Sequence, residues 1–385
     1  MTASALTRPG ERDRLSVKIA QVDWRLLLLL CAIAGMGAAM LYSVAQGSWE
    51  PWAAKHLIRF GVCLAVMLVL SMVNLKWWFH LAYPAYFGSL LLLAAIEIPG
   101  LGYTAMGATR WLDLGVTRIQ PSELMKIALV LALARWYHGA TAQEARFHWK
   151  LIYPALMIGA PFALVAHQPD LGSALLLGMT GAAIMFASGL SWKIIVTAGG
   201  AVAAGIWPFI QFVMHDYQRE RVLTFLNPEA DPSGEGYQIM QSKIAMGSGG
   251  LLGKGYGLGS QSQLEFLPER HTDFIFAAVS EEFGFVGSFG MLLCYLGVIL
   301  ISLRIASLSH SHFGRLATAG VTATFALYVL INGAMVMGLA PVVGVPMPLM
   351  SNGGTVMLTV MIGFGLVMAT RVHRYVELPK GHGLF

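Results

Sequence analysis

Residues 24–45 read WRLLLLLCAIAGMGAAMLYSVA, an apolar run broken only by Arg25 near its start. As a helix it is long enough to cross a hydrocarbon core of about 30 Å. Working outward, comparable runs recur to the far end of the chain, at 57–73, 78–96, 124–136, 151–165, 171–188, 194–213, 274–303, 316–336 and 356–370. The run at 124–136 is short, and Pro121 suits the first turn of a helix, so this span is predicted to begin at Pro121 and carry polar residues into the membrane edge. Over the 385 residues, 56% are hydrophobic and 12% charged, far from the roughly 25% charged of a soluble domain. The prediction is an all-α, polytopic transmembrane bundle of about ten helices, with no room for a sizeable water-soluble domain.

The basic residues orient the bundle. Arg8, Arg12, Arg14, Lys18 and Arg25 precede a run too long for a signal peptide, and no small-residue cleavage site follows. Residues 1–23 therefore read as a cytoplasmic tail, 24–373 as the membrane domain and 374–385 as a second cytoplasmic tail. Lys76, Arg135, Arg146, Lys150, Lys193, Arg304, Arg315, Arg371, Arg374 and Lys380 then all fall inside, as the positive-inside rule requires. Two long segments face the other way, 100–120 and a large loop, 215–272, between helices 7 and 8. The net charge of +5 is largely this topology signal together with contact to anionic membrane lipids, and nucleic acid is not an expected partner. Cys31, Cys63 and Cys294 lie in predicted spans without metal-like spacing.

Polar residues at membrane depth require a partner or a task. In RWLDLGVTRIQPSELMK, 110–126, Glu123 and Lys126 share a helical face, and a capped helix with a self-neutralising ion pair accounts for the spacing as well as a functional pair does. The depth of Lys126, ahead of IALVLALA, favours an acidic partner. EFLPERHTDFIFAAVSEEFG, 265–284, places Asp273 where a loop enters an apolar helix, with Glu281 and Glu282 deeper and expected to be hydrogen-bonded structurally. The loop carries Arg219, Arg221, Lys243 and Lys254, cations suited to an anionic ligand. Its glycines do not form a Walker A loop, because Ser248 stands where Gly is required and Gly255 follows Lys254. Tight turns and close backbone approach are expected instead. AHQPDLGS, 166–173, and GLAPVVGVPMPLMSNGGT, 338–355, cannot be regular helix, and irregular backbone at this depth is expected to be buried in protein or to line a cavity. A helix-start Asp170 and a simple loop are the plain alternatives.

These motifs, with MHDYQRERV and QSKIAMGSGGLLGKG, resemble in content and order the SEDS family of bacterial cell-wall polymerases, from the first span to the last. LPERHTDFIFA and HDYQRERV are closer to the elongation branch, RodA, than to the division branch, FtsW. One departure is Asn352, where the family has tyrosine in Ser-Tyr-Gly-Gly. The resemblance implies a peptidoglycan glycosyltransferase that polymerises lipid II, an undecaprenyl-pyrophosphate disaccharide-peptide, on the outer face of the cytoplasmic (inner) membrane during elongation and rod-shape maintenance. It implies a class B penicillin-binding protein as crosslinking partner. It also makes the acid at Asp273 essential, with Glu123 and Lys126 beside it.

The chemistry fits that inventory. A lipid pyrophosphate is already a good leaving group, so one base and a set of cations suffice. Asp273 is the expected base, kept ionised by Lys126, which Glu123 holds in place. Arg110, Arg219, Arg221 and Lys243 are expected at the pyrophosphate. Trp111, Gln120, Ser122, Asp170, Gln241, Glu269, His271 and Ser351, within the matching motifs, complete the candidate substrate contacts. No cofactor is evident; a divalent cation, Mg2+ or Mn2+, could replace some cationic side chains, although no dedicated cage is legible. A lipid II flippase and a non-catalytic scaffold of the wall-building complex are the competing classes.

Overall fold

The computed structural model describes residues 15–98, 102–105, 108–113, 118–146, 148–212, 216–231 and 234–379. The chain begins with α1 (Leu15–Gln21), α2 (Trp24–Val44), α3 (Ala53–Met72) and α4 (Leu75–Ala95). A small sheet follows, of β1 (Gly102–Ala105), β2 (Ala108–Asp113) and β3 (Arg118–Ile119). Then come α5 (Pro121–Gly139), α6 (Ala142–Arg146), α7 (Ile152–His167), α8 (Leu171–Ala187) and α9 (Trp192–Phe212). The segment after α9 holds α10 (Asp216–Leu226), α11 (Glu235–Ser248) and α12 (Ser260–Gln263). The last three helices are α13 (Ile275–Leu308), α14 (His312–Val336) and α15 (Gly354–Val372).

α2, α3, α4, α5, α7, α8, α9, α13, α14 and α15 coincide with the ten predicted spans, and the fold is an all-α polytopic membrane bundle. Among the described residues, seven helices are long and apolar enough to cross a membrane by length and composition. The fourth span does start at Pro121, with Glu123 in its first turn. Two features went unpredicted. β1, β2 and β3 form an antiparallel sheet in that order, with Tyr103 opposite Trp111. The large loop is mostly helical, in α10, α11 and α12.

α5 is the centre of the bundle. Every residue from Met125 to Ala134 is buried, so this helix is surrounded by protein on all sides. α8 and α14 join through a buried hydrogen bond between Thr180 and Thr324, 3.1 Å, the kind of polar contact that helps hold helices together in lipid. The three cysteines are free, as their positions suggested.

Alternation of the ten helices brings the starts of α3, α5, α8, α13 and α15 to one end of the bundle, with the ends of α2, α4, α7, α9 and α14. At that end α13 is broken at Gly284, where φ is 65° and ψ −161°. A break leaves peptide groups unsatisfied, which is costly in a membrane. The glycine-rich stretch after α11 supplies the missing partners: Lys254 and Gly255 N–H donate to the carbonyls of Glu281 and Glu282, while Phe285 and Val286 N–H donate to Gly250 and Leu251. Backbone lies against backbone. A Cβ on Gly253 would fall 2.1 Å from the Glu282 carbonyl oxygen, and one on Gly284 2.3 Å from the Gly253 nitrogen, so only glycine fits at either place.

Candidate functional site

Glu123, Lys126 and Tyr328 form a closed triad inside the bundle. Lys126 Nζ donates to Glu123 Oε1 and to Tyr328 Oη, both at 2.6 Å, and Tyr328 Oη donates to Glu123 Oε2, also 2.6 Å. Lys126 is 0% exposed and Glu123 3%, and the ammonium lies 4.7 Å from the Tyr328 ring centroid. Such a desolvated ion pair persists only because each charge has its counter-charge and hydrogen bonds. The depth argument for Lys126 holds.

Next to the triad, the starts of α5 and α8 assemble a second group. Asp170 caps α8, accepting from Ser173 N–H at 3.2 Å, which is the helix-start role. It also accepts from Gln120 Nε2 at 2.9 Å and has Arg110 Nη1 at 4.0 Å, while Arg110 Nη2 donates to the Pro169 carbonyl. Three candidate residues, Arg110 and Gln120 from the stretch 110–126 and Asp170 from 166–173, thus meet in one corner. Gly172 lets this corner press on the irregular segment between α14 and α15, since a Cβ there would fall 2.2 Å from the Val343 carbonyl oxygen.

That segment, 337–353, organises the rest. Arg221 Nη1 donates to the Val342 carbonyl at 3.1 Å, and the Cβ position of Gly344 is 3.8 Å from Asp273 Oδ2. Ser351 Oγ donates to the Thr272 carbonyl at 2.6 Å, and Asn352 N–H to that of His271 at 3.0 Å. Asn332 Nδ2, on α14, donates at 2.7 Å to the carbonyls of both Asp273 and Val345. From Val342 to Ser351 the irregular backbone is mostly buried in protein around a site, as expected at membrane depth, while Leu339 before it is 70% exposed.

Asp273 itself sits half-buried in the loop before α13, and its carboxylate has no hydrogen bond or ion pair among the described residues. Burial, followed by the charge of Glu269, pushes its pKa up to about 7, with Arg221 pulling the other way. This corrects one expectation. Lys126 does not hold the Asp273 carboxylate ionised: its ammonium is committed to Glu123 and Tyr328, and the cation acting on Asp273 is Arg221. The acid is poised to exchange a proton near neutrality.

The remaining predicted residues are spread around this centre. Glu269 accepts from Thr272 Oγ1 at 2.6 Å, and His271 stacks on Trp52, the residue just before α3, with centroids 4.3 Å apart. Arg221 also pairs with Glu235, Nε to Oε1 at 2.7 Å, so part of its charge is already answered. Arg219 lies one half-turn earlier on α10. Gln241 and Lys243 lie on α11, where the Lys243 Cε is 2.2 Å from the Cβ position of Gly338. Ser122 is buried with its hydroxyl unpartnered among the described residues, and Trp111 is on β2. His215 of the HDYQRERV motif lies outside the described residues.

Glu281 and Glu282 are structural, as expected. Glu281 accepts from Lys254 Nζ at 2.7 Å and from Ser260 Oγ and Gln261 N–H at 3.1 Å, and Glu282 accepts from Gly257 N–H at 3.1 Å and from Ser43 Oγ. Lys254 is thereby removed from the cations open to a ligand. Sequence reading missed Tyr328 and Asn332. They stand four apart on α14, so one face of that helix carries the hydroxyl of the triad and the amide that holds the Asp273 backbone. A tyrosine and an asparagine inside an apolar span were the available signal.

Fold and site together define a polytopic membrane protein with a half-buried, titratable carboxylate at one end of its bundle, flanked by cations and by a sealed ion pair. The chain belongs to the FTSW_RODA_SPOVE family, described as cell cycle protein, whose match spans residues 20–376. It is 42% identical to peptidoglycan glycosyltransferase MrdB of Escherichia coli K12, over 92% of this chain and 94% of that one. A probable peptidoglycan glycosyltransferase FtsW of Trichlorobacter lovleyi stands lower, at 35% with 92% and 94% covered. Among solved structures it is similar to a chain from a peptidoglycan synthase complex that coordinates polymerization and crosslinking, with TM-score 0.80, 31% identity, and 92% and 99% covered. It is also similar to the rod shape determining protein RodA of Thermus thermophilus, with TM-score 0.70, 28% identity, and 92% and 98% covered. The likeness to the elongation branch is shown.

Proposed function

We propose that this protein is a peptidoglycan glycosyltransferase that polymerises lipid II into glycan during cell elongation and rod-shape maintenance, with Asp273 as general base. The observation carrying the reading is the Asp273 carboxylate, unpaired among the described residues, with its pKa brought to about 7 by burial and by Glu269 in a corner that also holds Arg221. A base is most effective when its pKa lies near the working pH. The hydroxyl of the acceptor sugar gives its proton to Asp273 and attacks the anomeric carbon of the donor. The new glycosidic C–O bond forms as the bond to pyrophosphate breaks, and the pyrophosphate leaves with the electron pair. Arg110 and Arg221, with Arg219 and Lys243 further out, absorb its growing charge.

The same reading places this end of the bundle on the outer face of the cytoplasmic membrane, with residues 1–23 and 374–385 as cytoplasmic tails. It takes lipid II as substrate and a class B penicillin-binding protein as partner. The last point draws on the synthase complex to which the chain is similar. Among the described residues no group of three or more His, Cys, Asp or Glu could hold a metal ion; a Mg2+ or Mn2+ ion on the pyrophosphate, in place of some cationic side chains, is part of the same proposal.

The test is polymerisation of lipid II by the purified protein in detergent, where there is no second compartment. Glycan that depends on Asp273 is the expected result. Lipid movement across vesicles without polymer would establish a flippase instead, and neither activity would leave a scaffold.

A further inference from the structure

Arg59 is a cation that neither the fold nor the proposed base explains. It is the seventh residue of α3, a candidate membrane span, which puts its Cα about 9 Å along the helix from the start at the site end. The side chain is exposed, and its neighbours Ile58 and Val62, 67% and 60% exposed, mark that surface as lipid-facing. No carboxylate lies within ion-pair distance of it among the described residues. An arginine at such depth ordinarily extends toward the headgroups or toward a counter-charge. This one reaches the segment between α14 and α15. Its Nη1 donates to Asn352 Oδ1 at 2.9 Å, and its Cδ, Nε and Cζ lie 3.5 to 3.6 Å from the Cβ position of Gly354, the first residue of α15. The guanidinium thus lies against a side-chain-free helix start, where the dipole favours an anion over a cation. Positive charge has been gathered there with a neutral amide as its recorded hydrogen-bond partner.

The position relates this charge to the reaction. Asn352 N–H bonds the carbonyl of His271, two residues from Asp273, and His271 stacks on Trp52, which caps the start of α3. Along the segment between α14 and α15, Arg221 attaches at Val342, Asp273 abuts Gly344, and Arg59 attaches at Asn352. Polymerisation joins two lipid-linked chains, so two pyrophosphates have to be held within reach of the base. We propose that Arg59, set by Asn352, binds the second lipid-linked pyrophosphate, while Arg110 and Arg221 serve the first. This rests on the polymerase reading above and adds a ligand class and a residue to it.

The test uses the full-length protein in detergent, with undecaprenyl pyrophosphate as binding probe and undecaprenol and phosphatidylglycerol as controls, alongside lipid II polymerisation. The variants are Arg59→Ala, Arg59→Lys and Asn352→Asp. The last keeps the acceptor oxygen but neutralises the guanidinium. Arg59→Ala and Asn352→Asp should each weaken undecaprenyl pyrophosphate binding about tenfold and raise KM for lipid II similarly, with kcat less affected; Arg59→Lys should recover much of both. Undecaprenol binding should not change. Parental undecaprenyl pyrophosphate affinity in a folded Asn352→Asp variant would overturn the proposal, as would a loss confined to phosphatidylglycerol, which would make Arg59 a bulk-lipid contact. Asp273→Asn separates the two readings, because it should stop polymerisation and leave probe binding intact.

Discussion

Glu123 and Asp273 are carboxylates at the same end of the bundle, connected through Tyr328 and Asn332 on one face of α14, and their surroundings are opposite. Glu123 receives a lysine and a tyrosine hydroxyl and is almost fully buried. Asp273 is held only through its main chain, by Asn332, and its carboxylate is unpaired among the described residues. The contrast separates anchoring from chemistry. A fully satisfied charge cannot take a proton from a substrate without breaking its own network, whereas an unsatisfied one at a half-open corner can.

The largest effect that would break this division is on turnover. Asp273→Asn should lower lipid II polymerisation roughly a thousandfold, the scale of a lost general base, while leaving thermal stability at or above the parental value. A folded variant of near-parental rate would move the chemistry elsewhere. The opposite pattern is expected at the triad. Glu123→Gln or Lys126→Met strands a buried charge and should cost about 3–5 kcal/mol of stability. Combining them should recover about 2 kcal/mol of the summed loss in a double-mutant cycle read by detergent-phase unfolding. Gly284→Ala should cost about 3 kcal/mol, since it meets both a positive φ and the Gly253 backbone.

The smallest effect sharpens the comparison most. With Asp273 at a pKa near 7, the polymerisation rate should rise between about pH 6 and 8 and then level off. Because the folded carboxyl binds its proton more tightly than the unfolded one, stability should fall as pH rises from about 4 to 7, and Asp273→Asn should flatten that slope. Glu269→Gln should move the kinetic midpoint down, and Arg221→Gln up, each by roughly half a unit to one unit. Lys126 substitutions that fold should leave it in place.

The spans were legible because lipid imposes length and apolarity on each helix independently of its neighbours. The site was legible in part for the same reason: Lys126 before IALVLALA, Asp273 ahead of FIFAAV and the prolines of 338–355 violate that requirement, and all three belong to the site. Pairings were less visible. Lys126 was assigned to Asp273, but a lysine three residues from a glutamate on one helix has its counter-charge at hand, and Tyr328 closes the set from a helix some two hundred residues away. Such contacts depend on which face of α14 turns inward, and an apolar span does not encode that locally. The β1-β2-β3 sheet had no strong alternation to announce it. Arg59 was passed over because one charge in an otherwise apolar run reads as tolerable, until its depth and its neighbours are known.

The seam between the glycine-rich stretch and the broken α13 is stitched by four main-chain hydrogen bonds, to which Lys254 with Glu281, and Gly257 N–H with the Glu282 carboxylate, add side-chain ties. Saturation mutagenesis across 249–258 should therefore give an uneven profile, with Leu251 and Leu252, which are 72% and 80% exposed, accepting many apolar replacements while Gly253 accepts none. Any force applied to that stretch from outside would be delivered to the interior largely through peptide groups, with the Lys254–Glu281 pair as a flexible link among the described contacts.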